Sequence, residues 1–86
     1  MEIQPVNALY PNPTTGIFFI RFGKALVNAN ISITDNNGKA VMQYKATGFK
    51  LTCDLTSLAV GIYFVKIEDN GQLITKKVIK QGGIEQ

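Results

Sequence analysis

Apolar and polar residues alternate at every second position in several separate segments of this chain, which is the pattern of half-buried β-strands. In the clearest segment, Phe18, Ile20 and Phe22 share one face of a strand, while the residues between them share the other. No segment shows the 3.6-residue period of a helix. The pattern predicts an edge strand over Val6–Tyr10 and further strands over Ile17–Phe22, Ala29–Asp35, Lys39–Lys45, Phe49–Leu55, Gly61–Glu68 and Gln72–Lys80.

Two Asn-Gly pairs lie between neighbouring predicted strands, at Asn37-Gly38 and Asn70-Gly71. Asn and Gly accept the positive φ angles that a tight hairpin turn requires, so the chain should reverse at both places. Asp35 and Asp69 precede the turns, where a short carboxylate accepts hydrogen bonds from nearby backbone N–H groups. Both aspartates are therefore predicted to cap turns.

Several short strands joined by turns must cover their apolar faces with another layer, as in a sandwich or a small barrel. We predict an all-β fold, an immunoglobulin-like antiparallel β-sandwich of about seven strands. With only 86 residues, the chain from 1 to 86 is expected to form a single domain. Its predicted core comprises Phe18, Ile20, Ile33, Leu51, Tyr63, Val65 and Ile67.

The charge of the chain is mildly basic, with nine Lys and Arg residues against six acids. Lys76, Lys77 and Lys80 are the nearest approach to a basic cluster, but they alternate with apolar residues. This spacing favours a solvated strand face over a nucleic-acid site, and no nucleic-acid partner is expected. The apolar runs are far shorter than the roughly 20 residues of a membrane helix, so no membrane insertion is expected.

Candidate chemistry is sparse, because the chain has no histidine to act as a general base or metal ligand. Asp35-Asn36-Asn37 offers three neighbouring oxygen ligands, which fits a hairpin turn better than a calcium loop. Cys53, the one cysteine, follows the apolar period of its strand and is predicted to be buried and unreactive. No catalytic residue, metal or cofactor is expected, and the protein is predicted not to be an enzyme.

Three stretches, taken in order, resemble the C-terminal sorting domain of type IX secretion (the Por secretion system), type A, of Bacteroidota. The ordered set of Pro-Asn-Pro, Asp-x-x-Gly-Lys, Gly-x-Tyr and a basic final strand is specific, although each motif alone is weak. The resemblance covers residues 8–81, leaving 82–86 as an expected flexible tail. It is carried by three stretches: Leu9–Ile20; Ile33–Val41; and Leu55–Leu58 running into Gly61–Ile67 and then Thr75–Gln81.

The resemblance implies a non-catalytic signal that directs a larger protein across the outer membrane. In this family the cargo lies N-terminal in the same chain, passes through the periplasm, and reaches the cell surface or the medium. The implied partners are the outer-membrane type IX translocon and a sortase-like cysteine peptidase that removes the domain. Carried over to this chain, the residues for translocon recognition are Gly61, Tyr63, Val65, Lys76, Lys77, Val78 and Lys80.

Other family-motif residues are expected to be structural. Pro11 and Pro13 lack backbone N–H groups and should mark an unpaired edge, and Gly16 should ease the turn into the first long strand. The full set is Pro11, Asn12, Pro13, Gly16, Asp35, Gly38 and Lys39.

Two other functions fit the same fold. An immunoglobulin-like or fibronectin-like spacer or adhesion module would share the sandwich, and fold alone does not separate it from a sorting domain. A carbohydrate-binding module is disfavoured because the chain has no Trp and three Tyr residues, while sugar platforms need exposed flat aromatic rings.

Overall fold

The computed structural model describes residues 8–82, which form an antiparallel all-β fold. This confirms the predicted fold class. Of the predicted edge strand, Val6 and Asn7 lie outside the described residues, as do the last four residues of the expected tail. The strands are β1 (Ala8–Tyr10), β2 (Ile17–Thr34), β3 (Ala40–Asp54), β4 (Gly61–Asp69) and β5 (Gln72–Lys80).

β2 organises the sheet, because each of its halves lies between β3 and a second neighbour. Its first half pairs with β1, where Phe19 lies opposite Tyr10, and its second half pairs with β4, where Ile33 lies opposite Val65. β5 then pairs with β4 along all nine residues. The sheet order is thus β1-β2-β4-β5, with β3 beside β2.

The prediction of about seven strands in an immunoglobulin-like sandwich is corrected to five strands in one curled sheet. Two pairs of predicted strands are continuous in the structure, since β2 joins Ile17–Phe22 to Ala29–Asp35, and β3 joins Lys39–Lys45 to Phe49–Leu55. Between Arg21 and Leu26, β2 advances five residues while β3 advances only two, from Lys50 to Gly48. These extra residues bend the strand without ending it.

A left-handed residue at the bend changes which side chains face inward. Asn28 has a φ of 55° and Gly48 on β3 has a φ of 103°. Buried positions on β2 are even-numbered up to Leu26 and odd-numbered from Ala29 to Ile33. One extra residue reverses the alternation, so both halves of the bent strand turn apolar side chains toward the same interior.

The core lies inside the curl of the sheet and contains most of the predicted residues. Phe18, Ile20, Ile33 and Val65 have no exposed surface, and Tyr63 and Ile67 are also buried. Leu51 departs from the prediction, being half-buried at the margin of the core. The prediction did not include the buried side chains of Phe22, Leu26, Ala29, Ile31, Ala46, Leu55 and Val78.

Both predicted hairpins are present, but the two aspartates differ. Oδ1 of Asp35 accepts hydrogen bonds from the N–H groups of Asn37 and Lys39, each at 2.9 Å, which confirms the predicted cap. In the second hairpin, Asn70 and Gly71 both have positive φ, as a two-residue primed turn requires. The Asp69 carboxylate there forms an ion pair of 3.2 Å with Lys24, which ties this hairpin to the bend of β2.

Candidate functional site

The Pro-Asn-Pro stretch lies along the outer edge of the last strand. The side-chain amide of Asn12 donates from Nδ2 to the carbonyl oxygen of Lys77, and its Oδ1 accepts from the N–H of Ile79, both at 3.0 Å. Pro11 and Pro13 have no N–H to donate, and the peptide bonds preceding them are cis. The Asn12 side chain therefore pairs with β5 in the way that a backbone peptide group would.

Thr14 continues this pairing along the same edge. Its N–H donates to the carbonyl oxygen of Ile79, and its own carbonyl oxygen accepts from the N–H of Gln81, both at 2.8 Å. Its buried hydroxyl accepts from the N–H of Gly16 at 3.0 Å and donates to the carbonyl oxygen of Ile17 at 2.7 Å. Asn12 to Thr14 is hereafter called the edge cover, because it shields the final part of β5 from solvent.

Gly16 joins the edge cover to the end of β3. Its carbonyl oxygen accepts from the N–H of Leu55 at 2.8 Å. A Cβ atom at Gly16 would overlap Cγ2 of Thr56 and lie 3.3 Å from the Thr56 Cα. Glycine fits here because a larger residue would displace the Thr56 methyl group and press on the Thr56 backbone.

The turn after β3 is organised by Asp54, the last residue of that strand. Its Oδ1 accepts from the hydroxyl of Thr56 at 2.6 Å and from the Thr56 N–H at 2.9 Å. These hydrogen bonds, with a smaller contribution from the charge of Lys80, hold the pKa of Asp54 below its ordinary value. An Asp two residues before a Thr at a strand end was the sequence signal for this cap.

Lys80 ends β5 inside the fold, with 8% of its surface exposed. Its Nζ donates to the carbonyl oxygen of Leu58 and, at 3.4 Å, to that of Thr56. The predicted solvated face of three lysines is wrong for this residue. Its side chain shares the inward face of β5 with Val78, and the turn supplies the oxygen atoms that a buried ammonium group needs.

Tyr63, in the Gly-x-Tyr motif, has an apolar ring in the core and a hydroxyl that donates to the carbonyl oxygen of Ala59. This bond returns to the backbone four residues earlier, as in the tyrosine corner of β-sandwich proteins. It fixes the loop before β4 from one side, while Lys80 holds the same loop from the other. The loop is thereby tied to both strands of the last hairpin.

The seven residues predicted for translocon recognition all lie on the β4–β5 hairpin, but they do not form one surface. Tyr63, Val65, Val78 and Lys80 are buried. Lys77 and Gly61 are exposed, and Lys76 is half-buried. The side chains available to a partner are thus those of Lys76 and Lys77, which point to opposite faces of the strand.

The outer face of this hairpin carries apolar side chains beside the exposed lysine. Leu73 is 62% exposed and Ile62 is 37% exposed, with Phe64 and Ile79 half-buried. Phe64 lies directly opposite Lys77 in the strand register. β4 has apolar residues on both faces at its start, and its pairing with β2 and β5 on its two edges places it inside the sheet.

Sequence analysis expected a structural role for Asn12 without naming its partners, and it assigned no role to Thr14 or Thr56. The position of Asn12 between two prolines was a usable signal of its bonding role. Neither proline has a hydrogen-bond donor, so Asn12 supplies every donor in the Pro-Asn-Pro stretch. The partners of Asn12 lie 65 and 67 residues away, so no local pattern could identify them.

Cys53 is fully buried, as predicted, and loss of solvation raises the pKa of its thiol to about 12. Residues 8–82 contain no group of three His, Cys, Asp or Glu side chains arranged to hold a metal ion. Within the same range, no helix is long and apolar enough to cross a membrane.

Comparison with known proteins gives one result that covers nearly the whole described chain. The sequence model of the secretion system C-terminal sorting domain matches residues 8–81, the range over which the ordered motifs were found. A search of curated proteins found no match. Proteins with this domain are cargo of type IX secretion and are exported to the cell surface or the extracellular space. The chain belongs to the secretion system C-terminal sorting domain family, and it is a sorting signal for type IX secretion.

Proposed function

We propose that the outer-membrane type IX translocon recognises this domain in its folded state through the β4–β5 hairpin. In this account the N-terminal cargo of the same chain enters the periplasm, and the folded domain then delivers it to the translocon. A sortase-like cysteine peptidase subsequently removes the domain at the surface. The domain itself contributes binding and no catalysis.

The observation that carries this proposal is the position and charge of β5. It lies at the end of the sheet order and contains three lysines and no acid. Lys80 is occupied by carbonyl groups of the fold, which leaves Lys76 and Lys77 for a partner. Basic side chains beside apolar ones suit an acidic partner surface, because opposite charges steer association and fix its orientation.

The other candidate residues support recognition by shaping this hairpin. Tyr63, Val65 and Val78 are packed inside the curl, so a partner reaches none of their side chains in the folded domain. We propose that they act by holding β4 and β5 in place. We propose a similar supporting role for the structural set: Asn12 fixes the end of β5, Gly16 joins the edge cover to the end of β3, and the Asp35 turn fixes the first hairpin.

The test is export of a periplasmic reporter carrying this chain at its C-terminus, in a bacterium with type IX secretion. Lys76→Ala combined with Lys77→Ala should lower surface delivery of the reporter while the domain stays folded, since Lys77 is exposed, Lys76 is half-buried, and substitutions outside the core usually cost little stability. The matched control is Lys45→Ala with Lys50→Ala, which removes the same charge from exposed positions on β3.

A lower export level for the β5 pair than for the β3 pair supports recognition through β5. Equal export of the two folded variants contradicts it, because net charge would then account for any change. Circular dichroism and thermal unfolding of both purified variants establish that each is folded.

A further inference from the structure

The outer edge of β5 presents its backbone groups in a fixed alternation. The edge cover bonds to the carbonyl oxygen of Lys77, to both groups of Ile79 and to the N–H of Gln81. Odd-numbered residues of β5 therefore direct N–H and C=O outward, and even-numbered residues direct theirs toward β4. By the same alternation, the N–H and C=O groups of Leu73 and Thr75 point outward, and so does the N–H of Lys77.

The edge cover ends at Lys77 and leaves the first part of β5 open. Within residues 8–82, no backbone or side-chain group pairs with the outward groups of Leu73 and Thr75. Natural proteins usually protect such edges with proline, bulges or a covering segment. Here the nine pairs with β4 run without a register shift, and β5 contains no proline. We call Leu73–Lys77 the open edge.

The free edge of β3 is a poorer template for an added strand. Its register against β2 shifts at three places, and its course bends at Gly48. The N–H of Asp54 on that strand donates to the ring hydroxyl of Tyr44 at 3.3 Å, so part of the strand covers itself. A regular, unbulged edge is found on β5 instead.

We propose that the open edge accepts an extended segment of a partner protein as an added β-strand, and that this segment carries acidic and apolar side chains. The inference rests on the proposed function, in which the partner belongs to the export machinery. Backbone pairing would supply the affinity, and the neighbouring side chains would supply the selectivity.

The chemistry of the partner segment follows from the side chains that flank the open edge. On the outer face, Leu73 is 62% exposed and Lys77 is exposed, while Lys76 is half-buried on the other face. An added strand would place alternate side chains beside these two faces. An apolar residue beside Leu73 and acids beside the lysines complement this edge, whereas a basic segment would be repelled.

Thr75→Pro tests this directly, because it removes an outward N–H and no bond to β4, a position at which an edge strand tolerates proline. Thr75→Val is its comparator, since it loses the same hydroxyl but keeps the N–H. Both are made in the reporter fusion used above and also as purified domains. We expect Thr75→Pro to fold and to reach the surface about fivefold less than Thr75→Val, the effect of losing one net hydrogen bond.

If Thr75→Pro does not fold, Leu73→Pro removes a different outward N–H and is compared with Leu73→Val. Export of a folded proline variant at the level of its valine comparator would overturn the open-edge proposal and leave the sorting function standing. Failure of the unmodified fusion to be exported would overturn both. Size-exclusion chromatography adds one further outcome: a dimer of the domain that Thr75→Pro dissociates would assign the edge to a second copy of this chain and overturn the proposed partner.

Discussion

We predict that the exposed side chain of Asn12 stabilises β5, although its two partners on that strand lie 65 and 67 residues away in the sequence. Asn12→Ala removes the hydrogen bonds to the Lys77 carbonyl and from the Ile79 N–H, both 3.0 Å long. A typical hydrogen bond contributes about 0.5–1.5 kcal/mol net, and exposed bonds lie toward the lower end, so the pair should contribute about 1–2 kcal/mol. For a domain of this size that corresponds to a fall in thermal midpoint of roughly 5–15 °C.

Two measurements check this expectation at different levels. Urea and thermal unfolding of Asn12→Ala report the total loss, and amide hydrogen exchange reports its place in the structure. The N–H of Ile79 should exchange faster in Asn12→Ala, whereas N–H groups of β2 that bond within the sheet should change only as global stability changes.

Asn12→Asp is the matched variant, because it has nearly the same shape but cannot donate to the Lys77 carbonyl when ionised. We compare its stability with that of Asn12→Ala at each pH. Asn12→Asp should be less stable than the unmodified domain at neutral pH, and it should gain stability relative to Asn12→Ala as the pH falls and the new carboxyl group becomes protonated. An unchanged thermal midpoint and unchanged Ile79 exchange in Asn12→Ala would refute the account of the edge cover.

Three further predictions concern single residues. Gly16→Ala should destabilise the domain, although it reduces the freedom of the unfolded chain, because its methyl group would overlap Thr56; thermal unfolding checks this, and an equally stable variant would contradict the close approach. Tyr63→Phe should cost about 0.5–1.5 kcal/mol in urea unfolding by losing the bond to Ala59, and no loss would mean that the hydroxyl bond is unimportant. Cys53 should resist thiol reagents in the folded state and react in urea, and rapid labelling of the folded domain at neutral pH would contradict its burial. Because burial raises the pKa of its thiol from 9.0 to about 12, the contribution of Cys53 to stability should be complete below pH 9 and lost as the pH rises toward 12.

Period-two patterning identified the strand faces well, since it depends on local geometry alone. Phe18, Ile20, Val65 and Ile67 are buried where the alternation placed them. The strand count was wrong because the residues around Asn28 and Gly48 fell between predicted strands. In the structure they are bulges within continuous strands, and whether a break in alternation ends a strand or bends it depends on what lies across the sheet.

The candidate site was less predictable, because its key bonds join residues distant in sequence. The motifs indicated candidate positions, but the bonds of Asn12 to β5 and of Lys80 to the turn at Leu58 exist only in the curled sheet. Lys80 shows most clearly why the site could not be predicted from the sequence alone. Charge alone predicted a solvated side chain, and the carbonyl oxygens that make its burial favourable come from a different part of the chain.

The measurement that tests the central claim most directly is the location of a reporter with a periplasmic signal peptide and this chain at its C-terminus. It is compared in a bacterium with type IX secretion and in an otherwise identical strain lacking the outer-membrane translocon. The account predicts reporter at the cell surface or in the medium of the first strain and in the periplasm of the second. The same location in both strains would contradict the conclusion that this domain is a type IX sorting signal.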